Sequence, residues 1–188
     1  MALNIEHCEY ESIVKMKNKI YLFALLLIGS LFNSCDSDDL EYQDKFETSQ
    51  KTWLNFKESS NDSYKYTVTS SSWVGFSWET TLTIENGIII QRDFEYTSTE
   101  GLSTDIQQDE LQWTETDSEI GAHENGAEPI TLQEIYNKAK NDWLIERNNT
   151  TTYFETENNG MISTCGYVDN QCADDCFVGV KIKNIETL

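Results

Sequence analysis

Hydrophobic residues recur along this chain with two different spacings. Between residues 45 and 59, Phe46, Trp53 and Phe56 are separated by seven and three residues, with lysine and glutamate between them. This spacing places the three rings on one face of a helix. The pattern predicts a helix over residues 45–59 whose aromatic face packs against a sheet.

Strict alternation of apolar and polar residues follows the predicted helix, and it is typical of half-buried strands. Three strands are predicted in this part of the chain, over residues 64–68, 76–84 and 88–96. We therefore expect a run of three sequential antiparallel strands that covers the helix.

The turn around Asn86-Gly87 decides the register of the second and third strands. A two-residue turn would scatter the apolar side chains over both faces of the sheet. A three-residue loop with Gly87 in the left-handed position instead pairs Ile84 with Ile88 and places the apolar side chains on one face. The hydrophobic pattern thus predicts the three-residue loop.

The second half of the chain opens with an acidic stretch over residues 97–128, in which Leu111-Gln-Trp113 forms a short strand or anchors the loop. A loop of this length in a compact domain is usually functional or mobile. Thr131-Leu-Gln-Glu134 is then a capping box, in which each of the two side chains accepts a hydrogen bond from the other residue's backbone amide. It predicts a helix to about Arg147.

Three further strands are predicted, over residues 151–157, 161–168 and 177–185. The order of helix, three strands, loop, helix and three strands indicates an α+β fold. We expect an antiparallel sheet of about six strands with two packed α-helices, in a single domain over residues 45–188.

The N-terminal segment has the pattern of an export signal. Lys17 and Lys19 precede thirteen nearly unbroken apolar residues, 20–32, a run too short to cross a hydrocarbon core about 30 Å thick. Ser34-Cys35 resembles a bacterial lipobox, in which the cysteine is lipidated and becomes the first residue of the mature chain. An uncleaved signal anchor, or a mature soluble protein with a free cysteine, are the alternatives.

This pattern divides the N-terminal region into three parts. Residues 1–15 are predicted to be an upstream extension ahead of a better start at Met16, residues 16–34 a signal peptide, and residues 35–44 an acidic linker. Residues 37–41, Ser-Asp-Asp-Leu-Glu, resemble the acidic export tag that takes flavobacterial-type lipoproteins to the outer face of the outer membrane. An ordinary solvated linker is the alternative to that tag.

Charge restricts the choice of partners. Removing residues 1–34 takes away three of the 33 acids and three of the 13 bases, so the predicted mature chain keeps the net charge of −20. Such a field repels nucleic acid and anionic lipid head groups, so we expect no nucleic-acid partner. A cationic ligand, a divalent metal or a role of the charge in solubility alone fits better.

Three cysteines remain in the predicted mature domain, in a compartment that permits disulfides. Around a hairpin centred near residue 170, Cys165 lies opposite Cys176, so we favour this bridge over one between Cys172 and Cys176. Either bridge leaves one thiol unpaired.

Two metal sites are conceivable near these cysteines. The oxygens of residues 169–175 could bind calcium, with Asp169, Asp174 and Asp175 as weak candidate ligands, although the spacing of a calcium loop is absent. A polar hairpin tip is the simpler interpretation. A zinc site built from the three thiols and His123 is the other candidate, but the histidine lies in a distant loop. No other cofactor is predicted.

Motifs for catalysis are missing from the sequence. It contains no nucleophile elbow, phosphate-binding loop, His-Glu-x-x-His motif or dinucleotide glycine pattern. His123 beside Glu124 could form a general base. A lone loop histidine is more often structural or inert, so we expect no catalytic residue and no enzyme.

Several motifs together resemble a domain of unknown function that is common in bacterial lipoproteins, especially of the Bacteroidota. They are Trp53 ahead of Tyr64-Lys-Tyr66, the Glu-Asn-Gly87 hairpin, Thr131-Leu-Gln-Glu-Ile-Tyr136, Gly160-Met161 and the closing Cys-x3-Cys-Phe177 hairpin. The resemblance spans about residues 50–186. It implies a secreted or lipid-anchored α+β domain, and it brings no established activity, cofactor or catalytic residue.

We therefore predict a lipid-anchored protein of the outer membrane, at the cell surface, that acts as a non-enzymatic binding or interaction module for an unknown protein or glycan. One alternative is a lipoprotein that inhibits or stabilises another envelope protein. Another is a hydrolase that uses His123, Glu124 or the acids of residues 169–175.

Overall fold

A computed structural model describes residues 42–174 and 176–188 of the chain. Residues 1–41, which include the predicted upstream extension, the predicted signal and Cys35, lie outside the described residues. The elements, in chain order, are α1 (Gln43–Ser59), β1 (Tyr64–Ser71), β2 (Ser77–Glu85), β3 (Ile88–Ser98), β4 (Gln112–Thr116), α2 (Leu132–Lys138), β5 (Thr150–Glu155), β6 (Thr164–Asp169) and β7 (Phe177–Thr187). In the described part of the chain, no helix is long and apolar enough to span a bilayer.

The seven strands form one sheet in the order β4-β3-β2-β1-β7-β6-β5, and all neighbouring strands are antiparallel. The predicted α+β class is confirmed. The sheet has one strand more than the six expected, because the segment around Trp113 forms β4 at one edge. β1 and β7 join the two halves of the chain at the centre of the sheet.

The β2–β3 hairpin differs from the predicted register. Glu85 pairs with Ile88 across a two-residue turn, in which Asn86 has φ 52° and Gly87 has φ 79°. Both values fit the turn that matches strand twist best. An irregularity beyond Ile84 then shifts the register, so that Leu82 pairs with Arg92. The prediction of a three-residue loop is therefore wrong. The bulge, rather than the turn, supplies the extra residue that changes which side chains of β2 and β3 lie opposite one another.

One face of the sheet carries the core, and α1 covers it with its aromatic side. The ring of Trp53 stacks on Tyr136 of α2 at a centroid distance of 6.0 Å and meets Tyr64 of β1 edge-on at 5.3 Å. The Tyr64 hydroxyl also accepts a hydrogen bond from the Leu132 amide, 3.0 Å away, at the start of α2. The predicted aromatic face of α1 therefore joins both helices to β1.

The capping box at the start of α2 is present as predicted, with Thr131 and Glu134 bonded to each other's amides. The regular helix ends earlier than expected, at Lys138, and continues as one wider π-helical turn over Ala139–Trp143. In that turn the Leu144 amide donates to the carbonyl of Ala139, 3.0 Å away. Both Trp143 at the end of this turn and Leu144 after it are buried.

Candidate functional site

A cleft opens where the centre of the sheet divides. The pairing of β1 with β7 ends at Val68 and Ile182. β1 nevertheless continues beyond this pair to Ser71, and β7 already begins ahead of it, at Phe177. Beyond this point β1 remains paired with β2, and β7 remains paired with β6. The two halves of the sheet thus separate like the arms of a V.

The cleft has a volume of about 570 Å³, which lies within the range of ligand sites in proteins. Its walls come from β1, β2, β7 and the hairpin loop before β7, with side chains that are mostly apolar or small. They include Val68, Ser71, Trp78, Phe177, Val180 and Lys181.

The loop that closes one end of the cleft carries a disulfide. Cys172 and Cys176 are bonded across a Cα–Cα distance of 6.2 Å, and both line the cleft. Cys165 is a free, buried thiol, and burial raises its pKa. The favoured bridge between Cys165 and Cys176 is wrong, because the hairpin register places Cys165 opposite Val180.

A second cluster of polar side chains lies at the other end of the sheet, around Arg92 of β3. The Arg92 guanidinium is 2% exposed and donates to the Glu115 carboxylate at 3.0 Å. It also donates to the backbone carbonyls of His123, Asn125 and Ala127, at 3.1, 2.6 and 2.9 Å. One arginine therefore holds the loop over residues 123–127 against β3 and β4.

Glu115 completes this cluster from β4. Its carboxylate accepts hydrogen bonds from the backbone amides of Gly121 and His123, at 2.6 and 2.7 Å, and contacts the His123 ring at 2.9 Å. Burial acts to raise the pKa of Glu115, but the hydrogen bonds from His123, Gly121 and Arg92 outweigh it and lower the pKa to about 2. Glu115 is thus held as an anion.

Aromatic stacking supports the same cluster. The His123 ring lies parallel to the Trp113 ring at a centroid distance of 4.2 Å, and Trp113 stacks on Phe94 at 5.0 Å on the sheet. The Arg92 guanidinium lies 4.7 Å from the centre of the Trp113 ring. The contacts of Arg92, Glu115 and Trp113 with the acidic loop tie that loop to the sheet, so the cluster acts as a clamp for the loop.

The hydrolase hypothesis gains nothing from this arrangement. His123 directs Nδ1 to Glu115, in the manner of an oriented catalytic histidine, but its neighbour Glu124 is exposed and contributes no contact to the pair. The ring is packed on Trp113 rather than facing the cleft. The structure therefore places His123 in the clamp.

Neither metal hypothesis gains support. The described residues include no group of three histidine, cysteine or acidic side chains that could hold a metal ion. The Asp169 carboxylate accepts from the Gln171 amide at 2.8 Å, as in a polar turn, while Asp175 lies outside the described residues. Cys172 and Cys176 are bonded to each other and the His123 ring packs on Trp113, so the zinc hypothesis gains no support either.

Two features of the molecule were not predicted from the sequence. The clamp had a visible signal, because Arg92 is the one charged residue in the otherwise apolar alternation of Ile88, Ile90, Phe94 and Tyr96. The cleft had none, since it depends on where the pairing of two strands far apart in the chain ends.

No protein-family model, curated protein or solved structure matches this chain. The resemblance to the lipoprotein domain therefore stays a prediction that rests on its motifs.

Proposed function

We propose that this protein is a lipid-anchored module of the cell envelope that binds a ligand in the cleft between β1 and β7. The single observation that carries the proposal is the cleft itself, which interrupts an otherwise continuous sheet at its centre. Regular strand pairing would have closed it, so the separation of β1 from β7 leaves strand edges and apolar walls facing solvent. Unpaired strand edges and exposed apolar walls are the features expected of a binding site.

The surroundings of the cleft support the same proposal. Trp73 lies at the tip of the β1–β2 hairpin with 72% of its surface exposed, next to Ser72 of the cleft wall. Large exposed aromatic side chains of this kind are enriched where proteins meet partners. The disulfide between Cys172 and Cys176 restrains the loop opposite, so the cleft is bordered by a restrained wall.

Photochemical cross-linking in intact cells tests this proposal. A photoreactive residue is placed at Ser71, which is exposed at the cleft, and in a control chain at Glu58, which is exposed on α1. We expect a discrete adduct from the Ser71 position alone. Identical adduct patterns from both positions, or no adduct at either, would contradict a binding role for the cleft.

The anchor is tested separately at Cys35, which the sequence assigns as the lipidated residue. Cells fed an alkyne-labelled fatty acid should label the natural chain and leave a Cys35→Ser variant unlabelled. Because two or three acyl chains hold a protein durably in a bilayer, the variant should also leave the membrane fraction. Digestion of the natural chain by protease added to intact cells would support the proposed surface location, and full protection would count against it.

A further inference from the structure

The side chains that line the cleft identify it as a gap between strands. Five consecutive residues of β1 and the turn after it, 68–72, all line it. Consecutive side chains of a strand point to opposite faces of the sheet. A cavity that touches all five therefore runs along the edge of the strand, and a ligand in it meets the backbone.

The backbone of β1 points into this gap. The Leu188 amide donates to Ser63, and the register continues from Tyr64 with Thr187 to Thr67 with Asn184, so odd-numbered residues of β1 direct their polar groups towards β7. Beside the last pair, Val68 with Ile182, the next odd position is Thr69, which faces Lys181. Ser71 is the odd position after it, and no described strand pairs with it on that side.

The backbone of β7 faces the gap from the opposite side. The Ile182 amide donates to Ser163 at 2.7 Å, and the pairing with β6 keeps the same register up to Phe177. Even-numbered residues of this stretch therefore face β6, and odd-numbered ones direct their polar groups towards β1. Lys181 lies against Thr69 beside the last pair, so Gly179 is the next position of β7 that faces the cleft, across from Ser71 of β1.

We propose that the cleft binds an extended, basic peptide segment, which inserts as an additional strand between β1 and β7. This inference rests on the proposed binding function and names its ligand. Adding a strand to free edges is an established mode of peptide recognition. Because β1 and β7 are antiparallel to each other, the inserted strand runs parallel to one of them and antiparallel to the other.

The two faces of the cleft set the side-chain pattern of this peptide. Val68, Trp78 and Val180 line the side that continues into the core. Phe177 and Lys181 lie on the other side, with the Lys181 ammonium 5.2 Å from the centre of the Phe177 ring. An inserted strand therefore places apolar residues towards the core and polar residues outwards.

Charge selects a basic segment over an acidic one. The cleft itself is nearly balanced, since it is lined by one lysine and one described aspartate, Lys181 and Asp174. The chain as a whole carries a net charge of −20, so its field attracts cationic segments and repels acidic ones. The same field repels a second copy of this chain.

The test uses the full chain in a mild non-ionic detergent and a fluorescent heptapeptide of alternating lysine and valine. We expect saturable binding of one peptide per chain by fluorescence anisotropy. Peptides N-methylated at the valines, or at the lysines, each lose hydrogen bonds on one edge, and both should bind at least about tenfold more weakly. A loss with only one of them, or with neither, would overturn insertion between two strands.

Variants of the chain localise that binding. Ser71→Pro removes an amide that faces the cleft, and should weaken binding about tenfold, whereas Leu54→Ala, at an exposed position on α1, should leave it unchanged. An unchanged affinity of a folded Ser71→Pro chain would overturn the proposal. Hydrogen exchange provides a second measurement without mutation: peptide should protect the amides of Ser71 and Gly179, and no protection would also overturn it.

Two further controls separate the alternatives. An alternating glutamate and valine peptide should bind more weakly, and equal binding would overturn the choice of a basic ligand. If the chain forms dimers and Ser71→Pro dissociates them, the cleft binds a second copy of the chain, and the peptide proposal is overturned. If the Ser71 cross-link forms in cells while the peptide fails to bind, the proposed function stands and the strand-insertion inference falls.

Discussion

At the scale of single residues, the clamp around Arg92 shows why a buried charge is tolerated in this sheet. The guanidinium donates to one carboxylate and three carbonyls, and Glu115 accepts from two amides in addition to its ion pair. Burying a charge is costly unless it is paired and hydrogen-bonded. The clamp meets both conditions, so its stabilising effect depends on all partners being present together.

Removing the guanidinium should therefore destabilise the fold strongly. Arg92→Met leaves Glu115 without its counter-ion and three carbonyls without their donor. We expect a loss of about 3 kcal/mol in the free energy of unfolding, measured by urea denaturation. Lys65→Met is the matched control, because its ion pair with Glu186 is exposed and should contribute less than about 1 kcal/mol. Equal effects of the two variants would show that the clamp does not stabilise the loop.

The pKa of Glu115 predicts a specific dependence of stability on pH. The folded-state pKa is about 2, below the ordinary value of 4.5, so the carboxylate stabilises the fold above pH 4.5. That stabilisation is lost as the pH falls from 4.5 towards 2. The difference in unfolding free energy between the natural chain and Glu115→Gln should be constant near neutral pH and shrink over this range. A difference that stays constant from neutral pH down to pH 2 would contradict the role of the Glu115 carboxylate in the clamp.

At the scale of elements, the sequence predicted most of what local patterns determine. The aromatic spacing of Phe46, Trp53 and Phe56 identified α1, and the capping box at Thr131 identified the start of α2. Alternation identified the first three strands, and the three closing strands were also predicted at about the right positions. The prediction failed for the register of the β2–β3 hairpin, which depends on the Asn86-Gly87 turn and on the bulge beyond Ile84 together. The hydrophobic pattern does not show the bulge, and without it the pattern favours the wrong loop.

The hairpin turn gives a direct test of that interpretation. Gly87 has φ 79°, and a Cβ atom there would lie 2.7 Å from the Asp62 carboxylate. Gly87→Ala should destabilise the protein by about 1 kcal/mol, because alanine adopts this conformation at a cost. Asn86→Gly should change the stability by less than about 0.5 kcal/mol, since glycine accepts φ 52° readily. Thermal unfolding of both variants measures the difference, and a neutral Gly87→Ala would contradict the observed turn.

At the scale of the whole molecule, the features that the sequence could not predict all depend on contacts between distant segments. The cleft exists because β7 leaves β1 after Ile182, and Cys165 is a free thiol because the register of β6 and β7 places it opposite Val180. Neither position is marked by a local motif. Net charge, in contrast, follows from composition alone, and the repulsion that it causes acts on the whole molecule.

The net charge of −20 predicts how salt affects stability. Added salt weakens the exposed ion pairs, such as Lys183 with Glu79, but it also screens repulsion among the acidic side chains. Repulsion dominates because acids outnumber bases by 33 to 13. Raising NaCl from about 10 to 150 mM shortens the screening length from about 30 to 8 Å, and the melting temperature should rise by about 3 °C, which corresponds to about 1 kcal/mol. Near pH 4.2, where the sequence carries no net charge, the same salt should have little effect. An equal rise at both pH values would mean that the salt acts through hydration rather than through screening of the acidic surface.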